Sequence, residues 1–135
     1  MTRTARCSCG QLTLTVDGDP RIVVLCNCAQ CQRRTGSTFG IGAYFPHAAV
    51  SGIDGPEKIY RRTSDAGRSV EGHFCSNCGT TVYWQLEIFP DQYGIAVGCF
   101  ADPAFPQPNL AVWSTTKHGW VEFPDGCRIL ERQGE

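Results

Sequence analysis

A chain of 135 residues that is 41% hydrophobic has the size and composition of one soluble globular domain. Its formal net charge of -1 offers no overall field for nucleic acid or an anionic membrane, and no apolar run reaches membrane-spanning length. The basic residues of "MTRTARCSCGQLTLTV" precede no continuous apolar segment of the secretory kind, so the expectation is a cytoplasmic, single-domain protein over residues 1–135, with no nucleic-acid or membrane partner.

In chain order, the first feature is "CSCG" (7–10), followed by the clean alternation of "QLTLTV" (11–16), a strand that ends at the "DGDP" turn. "RIVVL" (21–25) reads as a second strand and delivers the chain to "CNCAQCQRRTGS" (26–37), within which "AQCQRR" is suited to one short helical turn. "FGIGAYF" (39–45), "EKIYRR" (57–62) and "SVEGHFC" (69–75) are expected strands, the last running into the knuckle "CSNCG". "TTVYWQL" (80–86), "YGIAVGCF" (93–100) and "LAVWSTT" (110–116) complete the set. Between the last two, "ADPAFPQPN" is too rich in proline for a central strand and is expected as a loop. The expected fold is all-β, small twisted sheets whose strand ends are fastened by metal knuckles.

Nine cysteines call for an explanation. Their number is odd and no export signal accompanies them, which argues against a disulfide framework, and buried apolar thiols would not cluster. Seven fall into three groups: Cys7 and Cys9, then Cys26, Cys28 and Cys31, then Cys75 and Cys78. A C-x-x-C turn aims two thiolates at one point, and a C-x-C pair does so because residues two apart on extended chain share a face. Zinc takes four such ligands at about 2.3 Å. The favoured partition joins Cys7, Cys9, Cys75 and Cys78 into a closed site and leaves Cys26, Cys28 and Cys31 as a three-ligand site with one open position. Spacing also permits the triplet to share ligands with "CSNCG". Cys99 and Cys127 stand alone and read as ordinary thiols.

Zinc bound by three thiolates is a weak Lewis acid, which disfavours water activation and favours a further soft ligand, a substrate thiol. Binding deprotonates that thiol and positions it as a nucleophile. Added negative charge asks for cations, and Arg33 and Arg34 follow Cys31 at once. Only Lys58 and Lys117 among the 12 basic residues are lysines; arginine suits bidentate carboxylate recognition.

"CSCG", "CNCAQCQRRTGSTFG", "HFCSNCGTTVYW", "VGCFADP" and "STTKHGW" together resemble the family of glutathione-dependent formaldehyde-activating enzymes and centromere protein V over nearly the whole chain. The resemblance implies a β-tent fold with two zinc ions, Cys7, Cys9, Cys75 and Cys78 holding the structural one and Cys26, Cys28 and Cys31 the catalytic one. It implies addition of glutathione to formaldehyde, giving S-hydroxymethylglutathione, classed as carbon–sulfur lyase chemistry. Asn27 stands where the family often has histidine, and an amide cannot shuttle protons. The alternatives are a zinc-stapled binding module without catalysis and an enzyme on another small sulfur or carbonyl compound.

Lys117 and Trp120 in "TKHGW" are candidate substrate contacts, Lys117 for a carboxylate and Trp120 as a pocket wall, if that segment lies over the open zinc. His118 lies between them. His73, two residues before Cys75, reads as a strand residue before a ligand, and His47 as a loop residue. Phe39, Tyr44, Trp84 and Trp113 are expected in the core. Ser37 and Thr38 finish the turn or orient ligands. Oligomeric state is not encoded in any of these signals.

Overall fold

The computed structural model describes residues 1–133. Among them the strands are β1 (Thr2–Arg6), β2 (Thr13–Asp17), β3 (Ile22–Cys26), β4 (Gly40–Pro46), β5 (Val50–Asp54), β6 (Glu57–Thr63), β7 (Ser69–Cys75), β8 (Thr81–Leu86), β9 (Gln92–Ala96), β10 (Leu110–Val112) and β11 (Arg128–Ile129). A single α-helix among the described residues, α1 (Ala29–Thr35), separates β3 from β4. The fold is all-β, as expected. No helix among the described residues is long and apolar enough to cross a membrane.

Two sheets form. The smaller has the order β1-β2-β5 and is antiparallel; the larger runs β11-β10-β3-β4-β9-β8-β7-β6. Three strands were not expected from the sequence. β1 is short and carries two arginines, and only its register with β2, Thr2 opposite Asp17 through Arg6 opposite Thr13, makes it a strand. β5 contains Gly52 and is held by β2, and the two-residue β11 by β10 in parallel. Two expected strands end early. β9 gives way to a 3₁₀ turn over Val97–Phe100, and β10 stops because Trp113 turns left-handed, at φ 57°.

Period-2 alternation gives the large sheet two distinct faces. Val23, Ala43, Phe45, Tyr83 and Ile95 point one way and pack with Ala5, Leu14 and Val16 of the small sheet as the main core. Val24, Gly42, Tyr44, Gly72, Trp84 and Leu86 line the opposite face. A register shift between His73 and Phe74, opposite β8, lets adjacent Val82 and Tyr83 both join the core while Trp84 turns away.

Trp84 lies across the neighbouring strands instead of standing off them. Gly94 is its direct partner on β9, and Gly42 lies on β4 beyond. A Cβ on Gly42 would come within 2.5 Å of the indole, and one on Gly94 would overlap it. The two glycines therefore form the seat on which the ring rests, and Trp84 Nε1 donates a 3.0 Å hydrogen bond to the Tyr44 hydroxyl. Gly94→Ala is expected to displace the indole and lower stability by about 1–3 kcal/mol, the range for forcing extra atoms into a packed site. Denaturant unfolding followed by tryptophan fluorescence measures this; an unchanged midpoint and unchanged emission would contradict the assigned packing.

Candidate active site

Two groups of sulfur atoms stand out. The Sγ atoms of Cys7, Cys9, Cys75 and Cys78 lie within 4.8 Å of one another, and those of Cys26, Cys28 and Cys31 form a second group on the same criterion. The first sits where β1 of the small sheet and β7 of the large sheet end. Cys7 and Cys9 are 3.6 Å apart and Cys9 and Cys75 3.7 Å. A tetrahedron with metal–sulfur bonds of about 2.3 Å has edges of about 3.8 Å, so this sulfur set fits a tetrahedral ion. Backbone N–H groups of Leu12 and Asn77 donate to the Cys7 and Cys75 sulfurs, at 3.2 and 3.4 Å, as suits thiolates.

The second group is built from a strand end and a helix start. Cys26 closes β3, Cys28 caps α1, and Cys31 lies in the first turn with its N–H donating to Cys28 Sγ at 3.3 Å. Gly36, left-handed at φ 70°, ends the helix after two turns, longer than the single turn expected. Arg33 and Arg34 fall in its last turn, where positive charge complements the helix dipole. Asn27 is wholly buried. Its Nδ2 donates to the Val112 carbonyl at 2.9 Å, while its own carbonyl accepts from Gln32 Nε2 and the Thr116 hydroxyl. The residue between the first two sulfurs thus locks the loop to β10, a positioning role.

Crowding divides the three thiols electrostatically. The Cys26 and Cys31 thiols beside Cys28, with N–H groups of Cys31 and Gln30, hold the Cys28 thiol far below the usual range. The same sharing, with burial, pushes Cys26 far up. The direction of these shifts makes Cys28 the most readily ionised thiol of the cluster. The chemistry of the donor set, three convergent sulfurs of which one is readily ionised, fits a soft metal ion.

These sulfurs open into a cavity of about 640 Å³ on the face of the large sheet that carries Trp84. Arg33 and Arg34 both line it, and the Arg34 guanidinium stacks over the Trp84 ring at 4.5 Å. Tyr44 and Trp84 are buried in a core cluster, as expected, and together with Trp113 they also form walls of this cavity. The signal for Trp84 was available in the glycines of "FGIGAY" and "YGIAV", which leave room on one face. Arg62 and Arg68, from β6 and the turn after it, were not singled out in the sequence and also line the cavity.

Other candidates lie elsewhere. Neither Lys117 nor Trp120 is among the residues lining the cavity: Lys117 caps the 3₁₀ turn Ser114–Thr116, and Trp120 is 71% exposed. The chain reverses at Trp113, which takes the wall position the later tryptophan was expected to hold. His118 faces Gln32 Oε1 at 3.2 Å. His73 pairs with Glu57 at 3.0 Å and stacks on Tyr83, away from both sulfur groups. His47 meets Gln85. Cys99 packs against both clusters of buried residues, and Cys127 closes a turn with Pro124.

The ordering of the thiols has a chemical consequence. In metal-stripped protein at pH 6, where an ordinary thiol is almost wholly protonated, iodoacetamide is expected to label Cys28 before Cys26 or Cys31. Because the Cys28 thiol titrates well below this pH, its labelling rate should stay flat between pH 5 and 7 instead of rising about tenfold per unit. Peptide mapping of the alkylated chain distinguishes the two behaviours.

Comparison with known proteins agrees with the cysteine arrangement. Residues 2–116 match the family described as glutathione-dependent formaldehyde-activating enzyme. A Fusarium vanettenii protein, provisionally named a glutathione-dependent formaldehyde-activating enzyme, is 27% identical over 82 residues. That match covers 61% of this chain but only 43% of the fungal protein, so the chain spans under half the length of this relative. A crystal structure of a Rhodobacter sphaeroides protein shares the fold, with a TM-score of 0.58 at 20% identity over 74% of this chain and 91% of that one. With the family matched over most of its length, the chain belongs to the glutathione-dependent formaldehyde-activating enzyme family.

Proposed function

We propose that the chain is a single-domain, cytoplasmic enzyme that holds two zinc ions and joins a small thiol, glutathione, to formaldehyde, with carbon–sulfur lyase chemistry. The carrying observation is the three-sulfur group, which opens into an arginine-lined cavity with no fourth Cys, His, Asp or Glu converging on it among the described residues. Cys7, Cys9, Cys75 and Cys78 would hold a structural ion, and Cys26, Cys28 and Cys31 the one at the reaction site.

Bound there, zinc would supply a soft acceptor for a fourth sulfur and lower the pKa of that thiol. The chain's own residues do the rest. The locked loop at Asn27 keeps Cys26 and Cys28 converging, and the cap at Cys28 fixes Cys31 beside them. Arg34, held flat on Trp84, places a fixed positive charge on the cavity side of the cluster, and Arg33 adds a second. These charges offset the extra negative charge of an incoming thiolate and attract an anionic thiol. In the addition the substrate S–H loses its proton, the sulfur pair forms the bond to the carbonyl carbon, and the carbonyl oxygen takes up a proton. The product is the S-hydroxymethyl thiol. The apolar walls, Trp84, Trp113 and Val112, reduce the water competing for the aldehyde.

Cobalt substitution tests this reading through a spectrum as well as through turnover. Wild-type protein is expected to bind two metals per chain, and glutathione should intensify the sulfur-to-cobalt charge-transfer band. Cys28→Ser should remove one metal, the glutathione response and thiol-dependent turnover, while leaving far-UV circular dichroism unchanged. Retained glutathione-dependent turnover in Cys28→Ser, or a spectrum indifferent to thiol, would refute the mechanism.

A further inference from the structure

The cavity's charge is unbalanced in a way that the three sulfurs do not explain. Four arginines line it, Arg33, Arg34, Arg62 and Arg68, against two acids, Asp65 and Glu87. Among the described residues the paired arginines are elsewhere: Arg3 with Asp19, Arg21 with Asp91 and Arg61 with Glu71. Arg61 and Arg62 make the contrast within one strand. Arg61 lies on the face away from the cavity and is closed by Glu71 at 3.1 Å, whereas Arg62 lines the cavity and forms no ion pair with any described residue. Unpaired guanidinium groups gathered around one space are suited to carboxylate.

The register sets how far this second charge lies from the first. Arg62 is opposite Val70, Val70 is opposite Leu86, and Leu86 is two residues along β8 from Trp84, on which Arg34 rests. Two strand spacings across and two residues along place the Arg62 and Trp84 Cα atoms about 12 Å apart. The strand that carries Arg62 therefore lies across the sheet from the Arg34–Trp84 stack. Asp65 and Glu87 lie on the same side of the cavity as Arg62, in the β6–β7 turn and after β8. Glu87 is anchored by the Ser69 N–H at 2.8 Å through one carboxylate oxygen, leaving the other available.

We propose that Arg62 and Arg68 recognise a carboxylate at the far end of the thiol substrate, two strands across the sheet from the Trp84 on which Arg34 rests, with Asp65 and Glu87 accepting an adjacent ammonium. This inference rests on the thiol-accepting reading and deepens it. The site selects a thiol with an amino-acid tail over a neutral thiol of the same reactivity. Arg34 and the sulfurs handle the reacting end, while the β6–β7 hairpin reads the tail.

Calorimetric titration of the zinc-loaded protein with glutathione and with 2-mercaptoethanol tests it. Arg62 is half-buried and Arg68 exposed, so solvent screening reduces each contact. R62Q and R68Q are each expected to weaken glutathione binding about tenfold and leave 2-mercaptoethanol binding unchanged. R61Q, on the opposite face, should bind both thiols like wild type. Equal losses for both thiols, or unchanged glutathione binding in the R62Q/R68Q double variant, would overturn the inference. So would wild-type protein that binds 2-mercaptoethanol as tightly as glutathione, although the thiol-accepting reading would survive. If neither thiol binds while both metals remain, that reading falls as well.

Discussion

The large sheet is a single layer with two faces, and each must do a different job. One is sealed against the small sheet by Val23, Ala43, Phe45, Tyr83 and Ile95. The other lines the cavity, and it is here that small residues interrupt the usual apolar pattern. Gly42 and Gly94 contribute almost no side-chain volume, and the space they leave is occupied by the Trp84 ring. Because side chains alternate strictly along a strand, a slip of one residue would move Trp84 into the core and Tyr83 into the cavity. The irregularity between β7 and β8 fixes that choice.

The four-cysteine group fastens this arrangement from its edge. Cys9 and Cys75 are 66 positions apart in sequence and 3.7 Å apart in space. Among the described residues the small sheet shares no strand pairing with the large one; packing joins the two, with the Ser8 N–H donating to Thr80 Oγ1 beside these sulfurs at 3.1 Å. In a small β protein, whose contacts are mostly long-range, an ion in such a group would contribute directly to folding free energy and would restrict the unfolded chain.

Electrostatics organises the cavity. Three crowded thiols resist ionising together in the absence of a cation, and the surroundings favour the thiolate at Cys28, the helix cap, over Cys26. Arg34 is a positive charge felt by Cys31, and its guanidinium stacks on Trp84. That makes Trp84 the link between fold and chemistry: the glycines seat it, Tyr44 accepts its N–H, and it carries the guanidinium. A ring with no reactive group thereby sets where a reactive group's charge is balanced.

Much was legible in sequence because its signals are local. Cysteine spacing marks metal-binding turns, alternation marks strands, and proline marks the loop before β10; each depends on residues within a few positions of one another. Whether "CSNCG" joins "CSCG" or shares ligands with the triplet was left open by spacing, and the choice needs a chain path bringing β1 beside β7. The strands β1, β5 and β11 were invisible because their composition is weak and their partners are remote. Lys117 and Trp120 drew attention by proximity to a recognisable segment, but among the residues of that segment it is Thr116 that lines the cavity. Arg62 and Arg68 carry no local signal in the sequence, and only the placement of β6 and the turn after it brings them to the cavity. The sequence alone determined the chemistry available, seven clustered thiols and an arginine-rich complement. Tertiary structure decided which charges face it, because a side chain's direction depends on strand register, and register is set by partners far away along the chain.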